Sequence, residues 1–230
     1  MNMSPNVASI ASLISEPSRA AILTALLDGR LHPASSLAYV AGIKPQTASF
    51  HLKKMIEANV VKVVKQGRHR YYGIDNHEVA TALESLLSIA PKVEIKSFKQ
   101  ATEDKAMRYA RTCYDHLAGQ VGVKITDFLL DHELVKDEGN SFTLTSKGET
   151  FFEDLQIDLK EVKRKRRAYI NKCLDWSERR YHVSGAVGNA LFKRLIELQW
   201  IQKVPDTRAI KVTEVGKQNL KTTFGVTLES

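Results

Sequence analysis

Cysteine is nearly missing: the chain has two in 230 residues, at positions 113 and 173. Two thiols so far apart do not make a disulfide scaffold, and they suit a reducing compartment. No apolar run approaches the ~20 residues of a membrane span, and the N-terminus lacks the basic start and apolar core of a signal peptide. Together these absences lead to the expectation of a cytoplasmic chain with no membrane partner. Catalytic signatures are missing too. There is no GxxxxGK[ST] phosphate loop, no Gly-x-Gly-x-x-Gly after a strand, no His-Glu-x-x-His and no Gly-x-Ser-x-Gly. Cys113 near His116 invites a thiolate nucleophile activated by a base, but nothing else in the chain supports one. No enzymatic activity and no cofactor are expected. Acidic residues are the minority, 26 against 34 Lys/Arg, which leaves a formal charge of +8. That suits an anionic partner, although charge alone fits RNA or a membrane surface as well as DNA. The excess is spread out: residues 1–90 carry nine Lys/Arg against six Asp/Glu, the rest 25 against 20.

The most informative stretch present is Lys44-Pro45-Gln46-Thr47-Ala48-Ser49-Phe50-His51-Leu52-Lys53-Lys54-Met55. On a helical wheel Ala48, Leu52, Met55 and Ile56 share one face. Gln46, Phe50, Lys53, Lys54 and Glu57 lie opposite, with Thr47 and Ser49 on the flanks. Amides and hydroxyls of this kind pair with base edges, and lysines neutralise phosphates. Upstream, Ser15-Glu16-Pro17-Ser18-Arg19 reads as a capped helix start, Ile22, Leu23, Leu26 and Leu27 as its buried stripe, and Gly29 as its end. A short helix at about 34–41 turns Leu37, Val40 and Ala41 inward, and Gly42 supplies the tight turn. Downstream, strands at Val60–Lys65 and Tyr71–Ile74 flank a tip of Gln66-Gly67-Arg68-His69-Arg70, a basic hairpin suited to phosphate or the minor groove. The pattern is a winged helix-turn-helix. Helices marked by Val7, Ile10 and Leu13/Ile14, and by Val79, Leu83 and Leu86/Leu87, flank it, and a break at Pro91–Lys96 separates it from the second half of the chain.

The segments EPSRAAILTALL, QTASFHLKKMIEANVV and KQGRHRYYGID, in this order and spacing, resemble the ArsR family of bacterial transcriptional regulators, over roughly residues 5–90. The resemblance implies a dimeric winged-helix repressor that releases DNA when an inducer binds, with the terminal helices forming the dimer interface. It assigns Gln46, Thr47, Ser49, His51 and Lys53 to the reading helix, and Arg68 and Arg70 to the wing. His51, nearer the packed side, either touches DNA or braces the helix. The expected DNA-contacting set is Lys44, Gln46, Thr47, Ser49, Phe50, His51, Lys53, Lys54, Arg68, His69 and Arg70. Two departures matter. Lys44 stands where many members carry a serine cap; a cation there opposes the helix dipole unless a DNA phosphate lies nearby. The cysteine pair of the metal-sensing members is absent from Ser36–Ala41.

The second half repeats itself. His116-x-x-Gly119-x-x-Gly122 recurs as His182-x-x-Gly185-x-x-Gly188, and in that register Val121, Leu129, Leu134 and Val135 meet Val187, Leu195, Trp200 and Ile201. Farther on, Thr145-x-x-Gly148 matches Thr213-x-x-Gly216. Each copy reads as helix, hairpin, threonine cap and helix, a winged-helix-like lobe without a convincing reading helix. The expected fold is therefore mainly α with short β-hairpin wings (α+β): an N-terminal winged helix-turn-helix over 1–90, and a C-terminal effector domain over 91–230 with repeats at about 113–152 and 173–220.

Ahead of each repeat lie Cys113-Tyr114-Asp115-His116 and Cys173-Leu174-Asp175-Trp176, with Arg179 and His182 following; the second copy carries six extra residues between cysteine and histidine. Cys113, Asp115, His116, Cys173, Asp175, Trp176, Arg179 and His182 are the effector or sensor candidates. The first expectation is a small-molecule pocket using some of them. Alternatives are a thiol-redox sensor, a metal site of Cys113, His116, Cys173 and His182, or packing alone. Cys113 and His116, three apart, share one face if helical, and Asp175 with Glu178 fits a helix capping box. The run 160–167, six basic residues around one glutamate, reads as a solvated helix face. Overall, the sequence points to a homodimeric repressor on a palindromic operator in double-stranded DNA, released by an effector in the C-terminal domain. A protein that coats DNA without sequence preference is the remote alternative.

Overall fold

A computed structural model describes residues 5–91 and 94–227; Lys92 and Val93, inside the expected break at Pro91–Lys96, lie outside the described residues. The chain divides into two compact units, Met1–Glu84 and Ser85–Ser230. Among the described residues no helix is long and apolar enough to cross a membrane. The fold is mixed, helices with small antiparallel sheets.

The first unit opens with α1 (Val7–Ile14) and α2 (Pro17–Leu26), then β1 (His32–Pro33), α3 (Ala34–Val40), α4 (Pro45–Glu57), β2 (Val61–Gln66) and β3 (His69–Ile74); α5 (His77–Ile89) comes next. The cap of α2 is Glu16, whose carboxylate accepts from the backbone N–H groups of Ser18 at 3.1 Å and Arg19 at 2.9 Å. Pro17 occupies the first turn, where its missing N–H is not needed. The expected stripe Ile22, Leu23, Leu26 and Leu27 is buried. In α3 the inward face differs from expectation: Leu37 and Ala38 are buried, whereas Val40 is 49% exposed. Seven residues are less than two turns, too few for periodicity to choose the face. The sheet has the order β1-β3-β2, with Pro33 opposite Tyr71 and His32 opposite Tyr72.

Asp28, buried after α2, ties this corner together. Its carboxylate lies 2.7 Å from Arg30 Nε and 2.8 Å from His32 Nε2, and it also accepts from the Arg30 backbone N–H. Burial disfavours the charge, yet the His32 and Arg30 contacts outweigh it and hold the carboxyl below its usual range.

The second unit contains α6 (Phe98–Tyr109) and then two copies of one plan. The first is β4 (Arg111–Cys113), β5 (His116–Ala118), α7 (Gly119–Asp131), β6 (Val135–Asp137), β7 (Phe142–Leu144) and α8 (Ser146–Asp154). After the short α9 (Leu159–Lys163), the second is β8 (Asn171–Leu174), β9 (Tyr181–Ser184), α10 (Gly185–Glu197), β10 (Ile201–Lys203), β11 (Ile210–Val212) and α11 (Glu214–Phe224). Each copy is thus hairpin, helix, hairpin, helix. The matched apolar pairs Val121/Val187, Leu129/Leu195, Leu134/Trp200 and Val135/Ile201 all fall in one shared core.

The repeated glycines have steric reasons. Gly119 and Gly185 start their helices at φ +80° and +79°, where a Cβ would lie 2.7 and 2.8 Å from the carbonyls of Arg108 and Ala168. Thr145 and Thr213 cap the last helices, accepting from the N–H groups of Gly148 at 3.0 Å and Gly216 at 2.9 Å. A Cβ on Gly148 would sit 2.0 Å from the Leu134 carbonyl oxygen, and one on Gly216 1.9 Å from that of Trp200.

Gly148→Ala or Gly216→Ala should lower the stability of the C-terminal unit by about 3 kcal/mol or more, since backbone must move, while the exposed surface change Lys160→Ala should stay within about 0.5 kcal/mol in the same urea titration. Asp28 stabilises fully above the unfolded-state pKa of about 4, and this contribution disappears as pH falls through the lower folded-state value. Asp28→Asn should therefore destabilise the N-terminal unit by about 2 kcal/mol at pH 7. The gap from wild type should close on acidification, as read from unfolding curves at several pH values.

Candidate nucleic-acid interface and a buried cysteine–histidine cluster

Helix α4 begins at Pro45 behind Lys44, an N-cap in extended backbone with no side-chain cap. Ala48, Leu52 and Met55 are buried, as the apolar seam requires. Lys44, Gln46, Thr47, Ser49, Phe50, Lys53 and Lys54 are exposed. Ser49 Oγ donates to the Pro45 carbonyl at 2.9 Å and keeps its lone pairs available to an outside donor. Lys54 Nζ lies 4.5 Å from the centroid of the Phe50 ring, and Lys53 Nζ lies 3.8 Å from Glu57 Oε1. The wing is tighter than the sequence suggests. Gln66 pairs with His69 and Lys65 with Arg70, so only Gly67 and Arg68 form the turn, and the strands extend to its edge. Arg68, His69 and Arg70 are exposed, with His69 and Arg70 on opposite faces of β3.

His51 stands apart from the exposed members of the expected set. It is 8% exposed, with Nδ1 3.3 Å from Arg19 and Nε2 3.4 Å from Glu16. Arg19 in turn donates to the carbonyls of Leu13 at 2.7 Å and Ser12 at 2.9 Å. His51 therefore braces α4 against the start of α2, the buttress role that its wheel position allowed.

In the second unit the two repeats meet through their first hairpins. Cys113 stands directly opposite His116, and Cys173 opposite His182, in antiparallel pairs. Cys113 and His116 are thus cross-strand neighbours, not helical ones. The six extra residues of the second copy lie in its longer turn, 175–180. Across the two hairpins, Cys113 Sγ is 3.6 Å from Cys173 Sγ, and His116 Nε2 is 3.1 Å from His182 Nε2. The four candidate ligand atoms all lie within 4.8 Å of one another; Cys113, His116 and His182 are buried and Cys173 is half-buried.

A carboxylate backs each histidine. His116 Nδ1 is 3.3 Å from Asp115 Oδ1, and His182 Nδ1 is 3.2 Å from Asp175 Oδ2, the latter off the line of a hydrogen bond. Each carboxylate is itself anchored by an arginine. Arg167 pairs with Asp115, and Arg111, fully buried, reaches Asp175 Oδ1 at 2.9 Å. Asp175 also accepts from the Gly119 backbone at 2.7 Å and from Ser177 Oγ at 2.7 Å. Burial opposes charge at Asp175, Asp115 and His116, but the partners win. His182, Arg111 and Ser177 hold Asp175, and His116 and Arg167 hold Asp115, well below the usual carboxylate range. Despite its burial, His116 is pushed up to about 10 by Cys113 and Asp115.

The sequence matches a helix-turn-helix domain family over residues 14–64. It is 52% identical over 215 residues to a Bacillus subtilis (strain 168) protein named uncharacterized HTH-type transcriptional regulator YdfF, covering 94% of this chain and 95% of that one. The chain belongs to the HTH-type transcriptional regulators. It is a DNA-binding regulator of transcription and not an enzyme. Among solved structures, the cadmium metal-sensor CMTR from Mycobacterium tuberculosis is 28% identical, over 40% of this chain and 94% of that one, at a TM-score of 0.33. NolR from Sinorhizobium fredii is 24% identical, over 40% and 99%, at 0.35.

Of the regulator's other sensor candidates, Trp176 lies under the Arg111 guanidinium at 4.2 Å, and Arg179 donates to the Ser88 carbonyl from the long turn. Asp175 does accept from the Ser177 and Glu178 backbones, as a capping residue would, but it closes a turn and no helix begins there. A surface hollow of about 310 Å³ is lined by Gln156, Asp158, Glu161, Lys165, Lys193 and Arg194 among others; none of the eight candidates borders it. Arg111 and Arg167 escaped sequence reasoning, although Arg167 ends the basic run that reads as a solvated face. No local pattern marks an arginine whose carboxylate partner is more than fifty residues away.

His51→Ala should lower stability by about 1–3 kcal/mol, while folded protein keeps its affinity for DNA within a few-fold in gel shifts. A selective loss of affinity with normal stability would return His51 to the contact set.

Proposed function

We propose that the regulator is an ArsR-type repressor, acting in the cytoplasm as a homodimer on a palindromic operator. One observation carries the reading. Gln46, Thr47, Ser49, Phe50, Lys53 and Lys54 stand exposed on α4, in a unit whose wing exposes Arg68, His69 and Arg70. Amides and hydroxyls discriminate base edges, whereas the lysines and arginines neutralise phosphates. Lys44 at the N-cap fits a phosphate contact that offsets its clash with the helix dipole. A single winged helix reads few base pairs, and a symmetric pair doubles the contact. In support of a partner copy, α1 has no buried residue and exposes Val7 and Ile10, and α5 exposes Leu86 and Ile89.

In this reading residues 1–90 bind DNA and dimerise, and residues 91–230 hold an effector whose binding weakens the operator complex. The convergence of Cys113, Cys173, His116 and His182 on one another argues against a small-molecule pocket built from the same side chains.

Gel shifts on operator and random duplexes across salt concentrations test this. Gln46→Ala with Ser49→Ala should narrow the preference for operator by about tenfold or more, leaving random-duplex affinity nearly unchanged. Arg68→Ala with Arg70→Ala should weaken both duplexes alike and reduce the salt slope by about two. Equal wild-type affinity for both duplexes would replace the repressor by a protein that coats DNA.

A further inference from the structure

DNA binding asks nothing of Cys113, His116, Cys173 and His182. We propose that these four side chains form a closed, tetrahedral Cys₂His₂ site for a zinc(II)-class ion that joins the two repeats of the C-terminal unit. The proposal rests on the site's geometry and is independent of the repressor reading.

The dimensions fit. A tetrahedron with Zn–S near 2.3 Å and Zn–N near 2.0 Å has S···S edges of about 3.8 Å and N···N edges of about 3.3 Å. The observed separations are 3.6 Å between the sulfurs and 3.1 Å between the Nε2 atoms, close to both edges, and all four atoms lie within 4.8 Å of one another.

The histidines argue separately. Each turns Nδ1 toward a carboxylate, Asp115 or Asp175, and Nε2 toward the other ring. Two Nε2 atoms facing each other at 3.1 Å need a cation between them, either a shared proton or a metal ion that displaces it. A carboxylate behind each histidine is also the usual second layer of a metal site, since it fixes the ring and raises its basicity. Arg167 and Arg111 hold those carboxylates in place. The repeated glycines let each helix close on its own hairpin beside the cluster: a Cβ on Gly122 would lie 2.6 Å from the Leu117 carbonyl oxygen, and one on Gly188 2.6 Å from that of Val183.

Two thiolates and two imidazoles in a tetrahedron select zinc or a close relative over magnesium or calcium, which want oxygen ligands. With four protein ligands the ion has no open position, so it staples and does not catalyse. Because the ligands come from both repeats, binding the ion and folding the unit are one equilibrium. A disulfide between Cys113 and Cys173 is the competing chemistry. It would draw the sulfurs from 3.6 Å to about 2.05 Å and leave the facing imidazoles to share a proton.

The test uses the full-length chain, purified without a histidine tag under reducing conditions. Elemental analysis after desalting should find about one zinc per chain. Exchange with cobalt(II) should produce the intense ligand-field bands of a tetrahedral centre and thiolate-to-cobalt charge transfer. Removing the metal with a chelator should lower the melting temperature of the C-terminal unit, and added zinc should restore it. Cys113→Ser with Cys173→Ser should abolish the charge-transfer band and reduce zinc retention more than tenfold. Should that variant not fold, the wild-type cobalt spectrum and the chelator–zinc cycle decide alone. Substoichiometric uptake by reduced wild type, an octahedral cobalt spectrum, zinc retained by the double variant, or two thiols lost to a disulfide in metal-free protein would each overturn the site. DNA affinity enters none of these readouts, so a failed repressor test leaves them standing.

Discussion

A buried polar group must find a partner, and the C-terminal unit is organised around that constraint. His116, His182, Asp175 and Arg111 are buried beside an apolar core of valines, leucines and phenylalanines, with Cys113 buried and Cys173 half-buried among them. The charged and polar groups are costly there alone, because the dielectric is low. The carboxylates find partners far away in the chain. Asp175 takes Gly119 and Arg111 from the first repeat; Asp115 takes Arg167 from the segment before the second, and its carbonyl accepts from Asn189 at 2.9 Å. The repeats are therefore bound by reciprocal polar contacts as well as by apolar burial, and one cannot shift without orphaning groups in the other.

The two units spend their polar residues in opposite ways. In the first, hydroxyls, amides and cations are pushed outward on α4 and the wing, over an apolar seam that fixes the helix; Asp28 and the His51–Glu16–Arg19 cluster turn inward, as braces. In the second, the chemically distinctive side chains are inside. The outer face of one suits a polyanion, and the inner cluster of the other suits a small cation.

Much of this was readable in one dimension. The α4 seam, the two-strand wing and the α2 stripe repeat at 3.6 or 2 residues, and such periods survive in any helix or strand that buries one face. The duplication was readable because helix starts and close carbonyl approaches demand glycine at fixed offsets, as at Gly119/Gly185 and Gly148/Gly216. Short elements carry too little periodicity to show their kind or their buried face. The three-residue strands β4 and β5 have no period to detect, so Cys113 and His116 suggested a helix. The seven-residue α3 turned Ala38 inward instead of Val40, and the two-residue β1 gave no signal.

By itself, then, the sequence determined the helix-turn-helix nature of the N-terminal unit, the exposed polar face of α4, the wing, and the existence of two related lobes, since each depends on local periodicity and backbone sterics. Only the tertiary structure decided that His51 is a brace, that Arg111 and Arg167 hold two carboxylates, and that two cysteines sixty residues apart lie 3.6 Å from each other with their histidines at 3.1 Å. Those facts belong to the register between hairpins and the packing of one repeat on the other. Both are set by the burial of the whole core, which no short window of sequence contains.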